Sequence, residues 1–552
     1  MTQNTAQPEE FELVIVGAGF AGLQMLHRAR KQGLKVRLFE AGSGVGGTWY
    51  WNRYPGARVD LESLEYSYSF SEELQQEWEW TERYAAQPEL QRYADHVTDR
   101  FDLRRDIRFD SRVLEAVFDE HTHRWTLRTS AGEQVRAQFC VMATGLLSAP
   151  NKPKIDGIDS FRGPQLMTSM WPKQDIDLSG KRVGIIGTGS SGIQCIPELA
   201  KRAAHLTVFQ RTPAFCIPAR NGPLDPEYQR AIKARYPEVR EQEMQTFAGF
   251  VSLAFLDAPP STQSALEVHE AERLAEYEKR WAAGGLCFYT AYPDLLMDAR
   301  ANESLAEFVR NKIRQRVKNP EVAEKLVPKS YPILTKRLCA DTQYYETYDR
   351  DNVTLVDVSE SPIERITPAG VQANGQVHPL DVLVFATGFD AMSGALDRID
   401  IRGRGGKTLK AHWKDGLSTF LGMMSSGFPN MIYMNGPGSP SAFFNPILLG
   451  EYQADWIIRC IETLRTRGQD CLDATTEAEA AWVAHSDEVA AYTLFAKGHN
   501  WYMGDNIPGK PRRMLVYLGG YASYREWCET ALANGLQQFE VSAASDTAVA
   551  TT

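Results

Sequence analysis

Leu13-Val14-Ile15-Val16-Gly17-Ala18-Gly19-Phe20-Ala21-Gly22 sets an all-apolar run directly against a Gly-x-Gly-x-x-Gly turn. Four apolar residues without alternation suit a parallel strand buried on both faces. In such a turn Gly17 permits the tight bend, Gly19 lets the backbone approach a pyrophosphate, and Gly22 lets helix and strand pack closely. Leu23 to Lys31 reads as a helix whose N-terminus faces the phosphates. Val36-Arg37-Leu38-Phe39 is the next strand, and it ends on Glu40, 18 residues past Gly22, where a carboxylate accepts hydrogen bonds from a ribose. A Gly-rich turn in an unrelated α/β domain has no need of an acid at that place. Glu40 would repel a 2′-phosphate, so this unit suits FAD or NAD.

A second unit repeats the pattern. Arg182-Val183-Gly184-Ile185-Ile186 is a strand, Gly187-Thr188-Gly189-Ser190-Ser191-Gly192 the turn, and Ile193 to Arg202 the helix. The following strand, Leu206 to Phe209, runs into Gln210-Arg211-Thr212 instead of an acid. A cation and a hydroxyl there suit a 2′-phosphate and point to NADPH, because a guanidinium grips phosphate through two hydrogen bonds. Arg211 could instead be a solvated charge at a strand end. One acid-tagged and one Arg-tagged unit imply FAD and NADPH in one chain, with hydride passing from nicotinamide to flavin.

Ala143-Thr144-Gly145 follows one apolar strand and Ala386-Thr387-Gly388 another. The chain is therefore expected to leave the first domain near 145 and return near 388. The fold class is α/β: two Rossmann-like dinucleotide-binding domains with a helical insertion. The FAD-binding domain comprises 1–145 and 386–540, and the NADPH-binding domain 146–220 and 330–385. A helical insertion occupies 221–329, and a small polar tail, 541–552, is expected to be disordered. Within the insertion Leu305, Phe308, Val309, Ile313 and Val317 share a helix face, with Asn302 as a candidate cap. Leu74 to Arg104 also reads as helical, and 107–140 as β-rich.

With 552 residues, two or three domains are expected. No apolar run reaches the ~18 residues of a membrane span, and the polar, acidic stretch Met1 to Glu10 does not resemble a signal peptide. The net charge of -10 gives no electrostatic reason for a nucleic-acid or anionic-membrane partner. The eight cysteines form no Cys-x-x-Cys pair and no zinc-type spacing, so they read as reduced thiols of a cytoplasmic protein, with no metal site and no dithiol-reductase chemistry.

Gly46-Gly47-Thr48-Trp49-Tyr50-Trp51-Asn52-Arg53-Tyr54-Pro55-Gly56-Ala57-Arg58-Val59-Asp60 carries the finer information. Its glycines allow close backbone approach, Thr48 and Trp49 can line a flat ring, and Asp60 follows a Tyr-Pro-Gly turn at a fixed distance. Core packing would also account for two or three of its four aromatics. Asp60 could instead cap a helix starting near Leu61.

This stretch resembles the signature [A/G]GxWxxxx[F/Y]P[G/M]xxxD of type I Baeyer-Villiger monooxygenases and fits every specified position. Phe161-Arg162-Gly163-Pro164-Gln165-Leu166-Met167-Thr168-Ser169-Met170-Trp171-Pro172 resembles the family's other signature, FxGxxxHxxxW followed by Pro or Asp, except that Met167 stands where the family has His. The resemblance runs from about Phe11 to Gln538.

The resemblance implies an FAD- and NADPH-dependent enzyme that inserts one oxygen atom from dioxygen beside a ketone carbonyl, through a flavin peroxide, giving an ester or lactone. It assigns Arg337 of Ile333-Leu334-Thr335-Lys336-Arg337 to the flavin side as the main catalytic residue, with Asp60 as its orienting partner. It assigns Lys336 to the NADPH 2′-phosphate, Trp501 to a loop folding over NADPH, and Phe20, Gly47, Thr48, Trp49 and Tyr66 to the flavin's surroundings. Ser441-Ala442-Phe443-Phe444 would line the substrate pocket, and the two phenylalanines would make it suit an apolar ketone, although both could face the core instead. A monomer or weak homo-oligomer is expected. Two other readings stay open: a flavin monooxygenase acting mainly on sulfides or amines, and a dinucleotide-binding redox sensor without oxygenation.

Overall fold

The computed structural model describes residues 8–258 and 261–544. Its first sheet is built on the strand Glu9–Val16, whose Leu13, Val14 and Ile15 are fully buried. Each such side chain contributes roughly 1.5–3 kcal/mol through apolar burial. The strand pairs in parallel with Val36–Phe39 on one side and Gln134–Met142 on the other. The sheet order is Asp400–Arg402, Val113–Asp119, Arg124–Thr129, Gln134–Met142, Glu9–Val16, Val36–Phe39, Ile107–Arg108, and Met431–Tyr433 also pairs with Gln134–Met142. The antiparallel excursion Val113–Met142 is the β-rich segment read from the sequence.

The second sheet is wholly parallel, in the order Val353–Asp357, His205–Gln210, Arg182–Ile186, Val382–Phe385, Gln165–Met167. Sheet membership thus passes from first to second between Met142 and Gln165 and back between Phe385 and Asp400. The outgoing and returning segments run side by side: Asn151 donates its amide to Gly388 O at 3.1 Å, Asp390 to Ala149 O at 2.9 Å, and Met392 to Leu146 O at 2.8 Å. A doubled backbone connection is stiffer than a single one. Between the halves of the second sheet lie the helices Pro226–Lys233, Tyr236–Gln245, Glu270–Ala283, Ala299–Arg316 and Pro320–Leu326.

Several local expectations change. Leu74 to Arg104 is two helices, Glu72–Glu77 and Gln87–Arg100, because Trp78 to Ala86 leaves helical geometry to pack Trp80, Tyr84 and Ala85 into the core. The helix carrying Leu305 is capped by Asp298, whose carboxylate accepts from the amides of Arg300 and Ala301. Asn302 instead lies inside that helix, donating to Leu295 O at 2.7 Å and Ile333 O at 2.8 Å. No helix follows Asp60, so Asp60 caps nothing. Val541 and Ser542 complete a strand, Phe539–Ser542, paired with Cys471–Ala474, so the chain is still ordered where the tail was expected to begin; 545–552 lie outside the described residues.

Candidate active site

Both nucleotide turns end on helices whose first turn no side chain caps: Phe20–Lys31 after Gly19, and Ser190–Arg202 after Gly189. Asp225, Asp298, Asn319 and Asn445 cap four other helices, while Gln87–Arg100, Tyr236–Gln245 and Gly520–Ala533 also begin without a side-chain cap. An uncapped helix start leaves amide donors and the positive end of the dipole for an anion. Gly47 lies beside the first turn with φ 53°, and a Cβ there would sit 2.7 Å from Gly19 Cα. A Cβ on Gly189 would meet no protein atom within 4 Å. That space is what a pyrophosphate needs. Gly17, Gly22, Gly187 and Gly192 occupy the tight turns and helix contacts expected of them.

Glu40 is 5% exposed. Its carboxylate accepts from the amides of Ala18 and Gly42, each at 2.7 Å. Burial pushes its carboxyl up, partly offset by those amides. It ties the first glycine turn, at Ala18, to the chain leaving the second strand, at Gly42. Trp49 is buried and donates its indole N–H to Tyr66 Oη at 3.2 Å. Phe20 and Trp49 both meet Tyr66 edge-on, with centroids 5.7 and 6.0 Å apart. Thr48 is exposed. Phe20, Trp49 and Tyr66 therefore form one aromatic wall beside the glycine cradle, with a rigidity that suits a flat ring system.

Asp60 and Arg337, 277 residues apart in sequence, meet in a bidentate ion pair: Arg337 Nε donates to Asp60 Oδ2 at 2.9 Å and Nη2 to Oδ1 at 2.6 Å. Arg337 Nη1 donates to Ala442 O at 3.3 Å. The Arg337 side chain is 26% exposed and that of Asp60 22%. Burial alone would depress the guanidinium, but Asp60 more than offsets it, so Arg337 keeps its charge with its ordinary pKa raised. Tyr289 and Tyr502 lie close enough to interact with that charge. Tyr289 Oη accepts the Leu338 amide at 3.3 Å, whereas the buried Tyr502 hydroxyl has no partner among the described residues. Neither tyrosine was singled out from the sequence. Tyr502 sits within the Trp501 block that drew notice, but Tyr289 lies in the insertion and carries no local signal.

On the other side, Thr188 Oγ1 donates to Thr212 O at 3.0 Å, tying the second turn to the end of its following strand. Arg211 is exposed and Ser191 half-buried, with Ser191 beside the Tyr54 hydroxyl. Ser190 Oγ meets Cys339 Sγ at 3.3 Å. Lys336 Nζ lies 4.2 Å from the centre of the Tyr331 ring. Burial and then Arg211 depress its ammonium to about 8. Two neighbouring cations without an acceptor among the described residues fit a 2′-phosphate. The residues present thus fit FAD at the first cradle and NADPH at the second.

Gln194, on the second fingerprint helix, was missed from the sequence. Its Oε1 accepts from Tyr54 Oη at 2.8 Å and from the Arg58 amide at 3.3 Å, and its Nε2 donates to Arg58 O at 3.0 Å. One side chain therefore clamps the Tyr54–Arg58 turn, and with it Asp60, to the second nucleotide unit.

Ser441 is buried with its hydroxyl unpartnered among the described residues, beside Ala442, whose carbonyl receives Arg337. Phe443 packs on Phe495 and Tyr502, centroids 4.9 and 4.8 Å away. Phe444 stacks on Tyr521 at 4.7 Å and abuts Gly249, packing that matches the core placement the sequence left open. Trp501 is half-buried and lies over Tyr502, centroids 3.9 Å apart. Met167 ends the edge strand Gln165–Met167, in register with Phe385, and packs on the core of the second domain.

A family model described as pyridine nucleotide-disulphide oxidoreductase matches residues 14–245. An acetone monooxygenase (methyl acetate-forming) of Gordonia sp. (strain TY-5) is 43% identical over 534 residues, covering 96% of this chain and 99% of that one. A phenazine N-monooxygenase of Lysobacter antibioticus is 44% identical over 521 residues, covering 93% and 94%. A Baeyer-Villiger monooxygenase of Pseudooceanicola batsensis is 42% identical over 529 residues, covering 95% of each. Among solved structures, OTEMO in complex with FAD and NADP superposes with a TM-score of 0.92 at 40% identity, covering 97% of this chain and 100% of that one. With near-complete relatives at this identity, two dinucleotide cradles and the intact Gly46–Asp60 signature, the chain belongs to the Baeyer-Villiger monooxygenase family of flavoproteins.

Proposed function

We propose that this protein is an FAD- and NADPH-dependent Baeyer-Villiger monooxygenase that converts an apolar ketone and dioxygen into an ester or lactone. The observation that carries the reading is the two-point Arg337–Asp60 pair, held between the first cradle and the NADPH side. FAD, when bound, supplies the redox chemistry that joins hydride from NADPH to dioxygen and delivers one oxygen atom. The chain's own residues do the rest. Glu40 accepts from the ribose, and Phe20, Trp49 and Tyr66 hold the ring against Gly47 and Thr48. Arg211, Thr212 and Lys336 grip the 2′-phosphate, with Ser190 and Ser191 near the pyrophosphate. Arg337 places fixed positive charge where negative charge develops, and Asp60 keeps the guanidinium oriented through its two oxygens. Trp501, with Tyr502 and Phe443 behind it, excludes water from that charge. Ser441 and Ala442 border the place where the ketone is received.

Air, NADPH and a panel of cyclic and aryl-alkyl ketones test the proposal, with ester or lactone and hydrogen peroxide both quantified. Ester formation from at least one ketone is expected. NADPH loss giving only peroxide across the panel would contradict it and favour a redox sensor. Arg337→Ala should still take hydride from NADPH while ester yield falls by about 100-fold, the scale of losing one charge-stabilising donor.

The likeness to a phenazine N-monooxygenase supports a second reading, oxidation of an aromatic nitrogen. Adding a phenazine and an aryl sulfide to the panel separates it: heteroatom products exceeding ester would make it the main reaction. All eight cysteines are free thiols, which supports a reducing compartment such as the cytoplasm, and a monomer or weak homo-oligomer is proposed. Among the described residues no helix is long and apolar enough to cross a membrane.

A further inference from the structure

The sequence shows no Cys-x-x-Cys pair, yet the fold brings two distant cysteines together. Cys216–Pro218 and Cys339–Asp341 are parallel partners, with Cys216 in direct register with Cys339. Registered residues of neighbouring strands lie about 4.8 Å apart and point to the same face, inside the roughly 4.4–6.8 Å window for a disulfide. Both residues are buried, Cys216 Sγ donating to Ala214 O at 3.7 Å and Cys339 Sγ to Arg337 O at 3.5 Å, and the two thiols lie close enough to influence each other's ionisation.

The surroundings distinguish the two sulfurs. Cys339 Sγ also meets Ser190 Oγ at 3.3 Å, and Ser190, at the mouth of the second cradle, is exposed. Arg337 stands two residues before Cys339. Hydrogen bonds from Cys216 and Ser190 hold the Cys339 thiol below its usual range, while burial pushes Cys216 up. One thiol with more thiolate character, next to a second that can resolve it, is the arrangement of an oxidisable dithiol.

We propose that Cys216 and Cys339 form a peroxide-oxidisable dithiol whose disulfide form reversibly lowers NADPH-dependent turnover. The oxidant is hydrogen peroxide. The Cys339 thiolate attacks one peroxide oxygen; the O–O bond breaks, hydroxide leaves and takes up a proton to become water, and Cys339 becomes a sulfenic acid. The Cys216 sulfur then attacks the sulfenyl sulfur, and the hydroxyl leaves with the Cys216 proton as a second water. Overall, two thiols and one peroxide give one disulfide and two waters. The new bond locks Cys216–Pro218 to Cys339–Asp341. It also removes the thiol proton shared with Ser190 and shifts the backbone that carries Arg337, so both the NADPH side and the guanidinium are affected.

The test uses intact holoenzyme. It is treated with a small excess of hydrogen peroxide, quenched with catalase, and divided between peptide mapping under non-reducing conditions and NADPH turnover. The expected result is six titratable thiols of the original eight, a Cys216–Cys339 cross-linked peptide, and turnover lowered at least three-fold, with all three restored by dithiothreitol. Eight thiols remaining, or thiols lost without the cross-linked peptide, would overturn the proposal. So would a fully cross-linked protein whose turnover stays within two-fold of the untreated enzyme. The peptide readout does not depend on which ketone is oxidised.

Discussion

Asp60→Ala isolates the two-point grip on Arg337 without touching the guanidinium. In the native chain the pair is held at 2.6 and 2.9 Å. At an effective dielectric constant of about 20, opposite charges about 4 Å apart attract by roughly 4 kcal/mol. With about a quarter of each side chain exposed, solvent screening reduces this to about 2 kcal/mol. Since each ~1.4 kcal/mol is a factor of ten, the variant should form ester roughly 30-fold more slowly. The charge itself stays, because arginine keeps its proton without a partner; what is lost is its place. The assay is a rapid-mixing pair: flavin bleaching by NADPH without air, then ester yield in air. Bleaching should slow no more than about three-fold, and most missing ester should reappear as hydrogen peroxide. Should ester formation fall by less than three-fold, or bleaching fall as far as ester yield, the reasoning that Asp60 works by orienting Arg337 would fail.

Lys336 gives a pH prediction. Its ammonium is depressed to about 8, first by burial and then by Arg211, so free enzyme loses this charge as pH rises through 8. KM for NADPH should climb between about pH 7.5 and 9 while KM for NADH, which has no 2′-phosphate, stays flat; Lys336→Met should abolish the difference in slope. Gly189→Ala puts a methyl where no protein atom lies within 4 Å, so the fold should lose less than about 1 kcal/mol in urea melts while KM for NADPH rises at least ten-fold. Gln194→Ala removes the clamp on Tyr54 and Arg58; flavin content should be kept, while the fraction of NADPH ending as hydrogen peroxide at saturating ketone rises at least two-fold.

What was legible was set by local rules. Strand, glycine turn, helix and a closing acid or arginine follow one another within about 30 residues, so the chemistry of each nucleotide is written in neighbours along the chain. Glu40 and Arg211 were readable for that reason. Helix caps were less so. Asn302 has the right side chain, but it lies one turn too late and serves Leu295 and Ile333 instead. Phe444 could be either wall or core by composition, and its stack on Tyr521 was not readable from its neighbours in the chain. The tail misjudged at Val541 was a partner strand for Cys471–Ala474, a pairing across about 70 residues that no local pattern announces.

The sequence by itself determined two dinucleotide units, their order and which one carries the acid, because these depend on backbone conformations and on residues close in the chain. Family resemblance then named Arg337 with Asp60 as its orienting partner. Only the tertiary structure decided the two-point geometry of that pair, that Gln194 ties the Asp60 turn to the second unit, that Tyr289 faces the guanidinium, and that Cys216 lies against Cys339. Those contacts arise where the parallel sheets and the helical insertion close on one another. They join residues from about fifty to nearly three hundred positions apart, whose proximity is set by strand order and packing and leaves no spacing to read.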